Sequence, residues 1–327
     1  MPFARILSTG IYVPEKIMTN EEFEKLTHMK IDPHYSQVLG INHRHISSER
    51  ETPAYMAAEA GRMALKRAGI KPEDLDLIIV GTDTPEAITP PTASRVQYLL
   101  GVSEKEVPAF DVNASCANGA LLLDIASRYI AMGDFKYVLV IGTYGMTKFL
   151  SWKYPWEALF SDGAGAVVLT SGESPGYLGS VMRTDGSWWY NWGIYMGTGT
   201  TNLEGIEKGF HKLDLRAPYP STVNEEGWPM LVEKLLDKLE ASKEEIGMIF
   251  FTQVRKKSIH VVMEKLKLPL EKAHTVMEKY GYTGSACVYM ALHDAIEEGK
   301  MEDLKGKLVL FVTSGVGYQQ VATAFRW

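Results

Sequence analysis

The order of strand-like and helix-like runs in the first half of the chain recurs in the second, and this repetition constrains the fold more than any other feature. Lys71-Pro-Glu-Asp-Leu-Asp-Leu-Ile-Ile-Val and Ser242-Lys-Glu-Glu-Ile-Gly-Met-Ile-Phe-Phe both read as an acidic helix start running into a buried strand. Asn113-Ala-Ser-Cys-Ala-Asn-Gly leads into a helix over 119–132 and then the strand Tyr137-Val-Leu-Val-Ile-Gly. Likewise Tyr280-Gly-Tyr-Thr-Gly-Ser-Ala leads into a helix ending near Gly299 and then the strand Leu308-Val-Leu-Phe-Val. Superposing the helix ends at Gly133 and Gly299 sets Cys116 opposite Tyr282. The βαβ rhythm predicts a layered α/β architecture, and the repeat predicts two similar halves, 1–171 and 172–327. Residues 184–229 break the rhythm with Gly and aromatics, among them Trp188, Trp189, Trp192, Tyr195, Tyr219 and Trp228. That stretch reads either as a cap or tunnel wall or as ordinary core packing.

At 327 residues the chain can bury a large core without disulfides or metals. Its two cysteines, Cys116 and Cys287, cannot make a disulfide framework. The opening has no apolar run of signal-peptide type, and no run approaches bilayer length, so the expectation is a reduced, cytoplasmic setting without membrane insertion. A net charge of −6 argues against nucleic acid as a partner. Gly163-Ala-Gly-Ala lacks the third glycine of a dinucleotide fingerprint, and His43 with His45 is a poor ligand set, so no metal is expected.

Cys116 follows small residues and precedes an apolar helix. At a helix N-terminus, free N–H groups and the helix dipole favour a thiolate, and the Cys116 amide faces an oxyanion. Sulfur suits thioester exchange because it attacks and leaves well. The alternative is a buried structural cysteine.

Nearly the whole chain resembles β-ketoacyl-ACP synthase III, within the thiolase superfamily. The resemblance rests on Ile6-Leu-Ser-Thr-Gly-Ile-Tyr-Val-Pro-Glu, Gly40-Ile-Asn-His-Arg-His-Ile, Pro90-Pro-Thr-Ala-Ser, Phe160-Ser-Asp-Gly-Ala-Gly-Ala and Ser314-Gly-Val-Gly-Tyr. It implies a thiolase fold, two pseudo-symmetric βαβαβαββ halves in a five-layer αβαβα arrangement, with the aromatic stretch as an insertion. It also implies that Cys116 accepts the acyl group, that Gly317 supplies the second oxyanion donor, and that the protein is a homodimer. The substrate would be a CoA or phosphopantetheine thioester, from acyl-CoA or acyl carrier protein, with no permanently bound cofactor and malonyl-ACP as the expected acceptor.

The family's His and Asn are replaced by Gln253 and Tyr282, each still a hydrogen-bond donor but neither suited to carry protons near neutral pH. The family's adenine-contacting Trp and Arg correspond to His34 and Val38, and another Arg falls near Lys148, which favours a protein-borne acyl group. Arg255, Lys256 and Lys257 read as a carrier-protein contact or as a solvated basic turn. Asp83 reads most plainly as a loop or capping aspartate, although the hydroxymethylglutaryl-CoA synthase branch keeps an acidic base near this place. Two functional classes follow: a thioester-using acyltransferase, and a partner subunit that keeps the fold without condensing.

Overall fold

The computed structural model describes residues 2–327, and its strands form two main sheets. The first holds β1 (Phe3–Tyr12), β2 (Leu77–Gly81), β3 (Ala109–Val112), β4 (Tyr137–Tyr144) and β5 (Gly163–Gly172), in the order β1-β5-β4-β2-β3. The second holds β6 (Tyr177–Thr184), β7 (Ile246–Phe251), β8 (Leu308–Gly315) and β9 (Gln319–Arg326), in the order β7-β8-β9-β6. Strand for strand the second repeats the first: β2 runs parallel to β4 as β7 does to β8, and the hairpin-connected strands are antiparallel in both. The counterpart of β3 shrinks to one parallel bridge between Ile249 and Ala273. Residues 3–172 build the first sheet and 177–326 the second.

Six longer helices complete the layers. They are α1 (Pro53–Ala68), α2 (Thr92–Leu100), α3 (Asn118–Met132), α4 (Val223–Leu239), α5 (Lys256–Leu266) and α6 (Cys287–Glu297). Helix α1 shows how local sequence sets its limits. The Thr52 hydroxyl caps the Tyr55 amide, Pro53 takes the first position, and Gly69 ends the helix at φ 68°. Met56, Ala60 and Leu65 are buried as their spacing predicts, whereas Met63 is 39% exposed at the edge of that face. Helices α1 and α2 cover the outside of the first sheet, and α4 the outside of the second, with α5 packed beside it. Helices α3 and α6 lie between the sheets and touch strands of both, so they are apolar around most of their circumference. This is the five-layer αβαβα thiolase arrangement.

One hydrophobic cluster runs through both sheets, joining Leu77 and Val140 to Phe250 and Leu310 by way of the middle helices. Two glycines permit that closeness. A Cβ on Gly119 of α3 would meet Val288 of α6 at 2.3 Å, and one on Gly142 of β4 would meet the Ser285 carbonyl oxygen at 2.1 Å. The aromatic stretch divides between its two readings: Trp228 is fully buried in α4, while a two-stranded ribbon, Trp192–Gly193 with Asp214–Leu215, helps to wall a cavity. Among the described residues no helix is long and apolar enough to cross a membrane.

Candidate active site

Strand β3 ends in a turn whose shape is fixed on every side. Asp111 accepts the N–H groups of Thr92 and Ala93 at 2.7 Å each, tying β3 to the start of α2. Ser115 adopts a left-handed φ of 51°, a strained state for a residue with a side chain. It is held by Asn113 Oδ1, which accepts its N–H at 3.0 Å, and by Ser285 Oγ, which donates to its carbonyl at 3.1 Å. Asn118 Oδ1 accepts the Ala114 N–H at 2.8 Å, and Thr313 Oγ1 donates to the Ala117 carbonyl at 3.1 Å. The result is a nucleophile elbow with Cys116 one residue before the N-cap Ala117 of α3.

Cys116 is 7% exposed and opens into a cavity of about 350 Å³. The walls are largely aromatic, with Tyr144, Phe160, Trp192, Tyr195, Tyr219, Tyr282 and Tyr318 among the lining side chains. Tyr144, Phe160 and Tyr282 pack on one another with ring centroids 5.9–6.4 Å apart. The Tyr282 phenol beside the Cys116 sulfur favours its thiolate. Burial and the nearby Asp83 charge outweigh this and push the thiol well above its ordinary range, so Cys116 rests protonated. The expectation of a resting thiolate is thereby corrected: in so apolar a setting the helix N-terminus is not enough.

Among the described residues no His, Lys or Arg lines this cavity, and Asp83 is its one carboxylate. Burial raises Asp83 from the ordinary 3.8 to about 6, and its Oδ1 is buried without a hydrogen-bond partner. Asp83 lies in the loop two residues past β2, as the sequence suggested, caps no helix, and lines the cavity.

Of the expected catalytic residues, Gln253 lands elsewhere. Gln253 is fully buried, but its flanking residues Thr252 and Val254 face the cavity and its own side chain points the other way. Its amide nitrogen donates to the carbonyls of Phe251 (2.8 Å) and His274 (3.3 Å), and its oxygen accepts the Val276 N–H (2.8 Å), so it has no donor left for a substrate. The His274 ring is engaged by Asp294 at 2.8 Å and does not line the cavity. Gly317 does line the cavity, but its N–H is given to the Tyr219 hydroxyl at 2.9 Å. The amide one residue earlier, Val316, has no acceptor among the described residues. It follows Gly315, whose Cα faces the Cys116 amide so closely that a Cβ there would lie 3.1 Å from that nitrogen. The N–H groups of Cys116 and Val316 thus both lack an acceptor among the described residues.

The basic residues are also committed. Arg255 pairs with Glu225 at 3.3 Å, Lys256 with Glu278, and Lys148 donates to the Ser47 carbonyl; none lines the cavity.

A sequence model of 3-oxoacyl-[acyl-carrier-protein (ACP)] synthase III matches residues 110–186, and the model of its C-terminal part matches 236–327. The chain is 34% identical to a β-ketoacyl-[acyl-carrier-protein] synthase III of Aquifex aeolicus over 99% of both chains. It is 33% identical to one of Caldanaerobacter subterraneus over 99% of this chain and 98% of that one. The crystal structure of 3-oxoacyl-[acyl-carrier-protein] synthase III from Aquifex aeolicus superposes with a TM-score of 0.88 at 33% identity, covering 99% and 100% of the two chains. The priming β-ketosynthase of the R1128 polyketide pathway superposes with 0.89 at 26% identity, over 99% and 96%. A nucleophile elbow at the centre of a duplicated sheet pair and likeness along the full length lead to one conclusion: the chain belongs to the β-ketoacyl-ACP synthase III family of acyltransferases.

Proposed function

We propose that Cys116 takes an acyl group from a CoA or acyl-carrier-protein thioester and passes it to an acceptor that must lose a proton, with Asp83 as the base in both steps. The observation that supports this is the Asp83 carboxyl, raised to about 6 by burial and with its Oδ1 unpartnered, on the wall of the cavity that holds a protonated thiol, with no imidazole among the described residues that line it. In acylation Asp83 removes the thiol proton and the sulfur attacks the thioester carbonyl. The oxyanion accepts the N–H groups of Cys116 and Val316, and the donor's thiolate leaves with the proton. In transfer Asp83 takes a proton from the acceptor, whose O, N, S or carbon attacks the acyl carbonyl; the Cys116 thiolate leaves and recovers that proton. A carbon acid beside a thioester carbonyl would make this a condensation.

Decarboxylation of a malonyl group fits the cavity poorly. With Gln253 turned away, Tyr282 is the one remaining donor of the expected pair. Above pH 6 the malonyl carboxylate would also face the Asp83 charge in low dielectric. The chain's relatives are named for carrier-protein substrates, which favours a carrier-borne donor. The outer edge of β3 pairs on one side alone and its residues are half-buried, which favours a homodimer joined there.

Intact-protein mass after mixing with acyl-CoA and acyl-carrier-protein donors tests the first step. The expected outcome is one acyl mass that disappears in Cys116→Ala and forms about 10²-fold more slowly in Asp83→Asn. An unreactive Cys116 across donors would support the non-catalytic partner reading. Release of carbon dioxide from malonyl-ACP, with a 3-oxoacyl product, would overturn the assignment of the acceptor.

A further inference from the structure

The turn that joins β8 to β9 has an uncommon shape. Gly317 and Tyr318 both adopt left-handed backbone, at φ 76° and 52°, and for Tyr318 that is a strained state. Such a turn persists only where its surroundings hold it. Here the aromatic stretch supplies the hold. Tyr219 lies between Pro218 and Pro220, which narrow the backbone choices on either side of it. Its phenol oxygen accepts the Gly317 N–H at 2.9 Å. Its ring stacks on those of Trp188 and Tyr318, with centroids 5.3 and 6.4 Å away, and these two meet each other at 6.0 Å. Asp185 closes the circuit: its N–H goes to the Tyr318 carbonyl at 3.2 Å, and its carboxylate accepts the Trp188 indole N–H at 3.1 Å.

The same turn carries the Val316 N–H, which has no acceptor among the described residues. Val316, Gly317, Tyr318 and Tyr219 all line the cavity that Cys116 opens into. On one side of Val316, Gly315 is fixed by its pairing with Gln319 and by its contact with the elbow, where a Cβ would lie 3.0 Å from the Ala117 nitrogen. Gly315 has no side chain to restrict the peptide that follows it, so the direction of the Val316 N–H depends on what holds the far side. On that side stands the bond from Gly317 to Tyr219. Building on the acyl-Cys116 reading, we infer that Tyr219 is a positioning residue for acyl transfer: by holding the Gly317 N–H, its phenol oxygen aims the Val316 N–H at the oxyanion.

The test uses Tyr219→Phe, which keeps the ring and removes the acceptor. Mass gain on Cys116 is followed across donor concentrations, with the fastest donor among acetyl-CoA, hexanoyl-CoA and their carrier-protein counterparts. Misdirecting one oxyanion donor should lower the saturating rate at least about tenfold and change the half-saturating donor concentration less than about twofold. That rate is a first-order constant, so it does not depend on how much of a preparation is folded. Tyr219→Leu removes the ring as well, and should lower the urea midpoint further than Tyr219→Phe does, so that the rate follows the oxygen and stability follows the ring. A saturating rate in Tyr219→Phe equal to or above that of the unaltered protein overturns the inference, and a faster one would make the released Gly317 N–H the donor. A change confined to the half-saturating concentration also overturns it, since Tyr219 would then be only part of the wall. Acylation of the unaltered protein stands in all these cases. No mass gain on the unaltered protein from any donor overturns the acyl-enzyme reading and this inference with it.

Discussion

A thiol in apolar surroundings is a poor nucleophile, and Asp83, the base proposed for Cys116, is held there at a cost to stability. Asp83 ionises at about 6 in the folded chain and at 3.8 when solvated. Below 3.8 both states hold the proton and the side chain is neutral in its effect. As pH rises from 3.8 to 6 the unfolded chain gives up its proton first, so stability falls. Above 6 the folded state carries a constant penalty of about 3 kcal/mol. Asp83→Asn should therefore raise the urea midpoint at pH 7.5, by up to about 3 kcal/mol in unfolding free energy, and leave it unchanged at pH 3.5. The rate of Cys116 acylation in the unaltered chain should fall tenfold per pH unit below about 6, and Asp83→Asn should flatten that limb. Equal midpoints at both pH values would mean that Asp83 is solvated. Cys116 is legible in the sequence because small residues before an apolar helix make a tight turn, and a thiol set in that turn stands at the helix mouth. Gln253 misleads because its place in the chain says nothing about which way a side chain faces just past a strand.

The elements that position the site are the β3–α3 elbow and the β8–β9 hairpin, and they meet at Gly315. A Cβ there would lie 2.4 Å from the Ala114 carbonyl oxygen and 3.1 Å from the Cys116 nitrogen. Gly315→Ala must push the hairpin off the elbow and separate the Cys116 and Val316 amides. The expected outcome is a loss of about 1–3 kcal/mol in urea unfolding and at least about tenfold in acylation rate. Gly317 supplies the contrast: no atom lies within 4 Å of its missing Cβ, and Gly317→Ala strains only a left-handed backbone, at about 1 kcal/mol. Equal damage from the two substitutions would return the second oxyanion donor to Gly317. Regular elements such as α1, α3, β4 and β8 could be read from sequence because caps and periodicity mark them. The ribbon at Trp192–Gly193 and Asp214–Leu215 could not, since two-residue strands carry no period; with it went the distinction between wall and core in the aromatic stretch.

At the scale of the molecule, the duplication places the nucleophile's helix and its counterpart back to back. Cys116 therefore depends on residues of the other half. Ser285, just before α6, donates to the Ser115 carbonyl and accepts from Asn118 Nδ2 at 3.2 Å, so the spacing between the halves sets the shape of the elbow. That spacing is fixed where β4 passes the Ser285 carbonyl with no side chain on Gly142. Gly142 does not line the cavity, and a Cβ there would sit 2.1 Å from that carbonyl oxygen and 3.0 Å from the Cα of Ala286, both backbone atoms that cannot turn aside. Gly142→Ala must drive the layers apart. It should cost about 1–3 kcal/mol by overpacking and slow Cys116 acylation at least about tenfold, with a single unfolding transition throughout because one core joins both sheets. Urea unfolding followed by far-ultraviolet circular dichroism, alongside the acylation rate in native buffer, gives both quantities on one preparation. A chain that loses the stability yet acylates at the original rate would show that the elbow is held within its own half, and that the contact across the repeat axis serves packing alone.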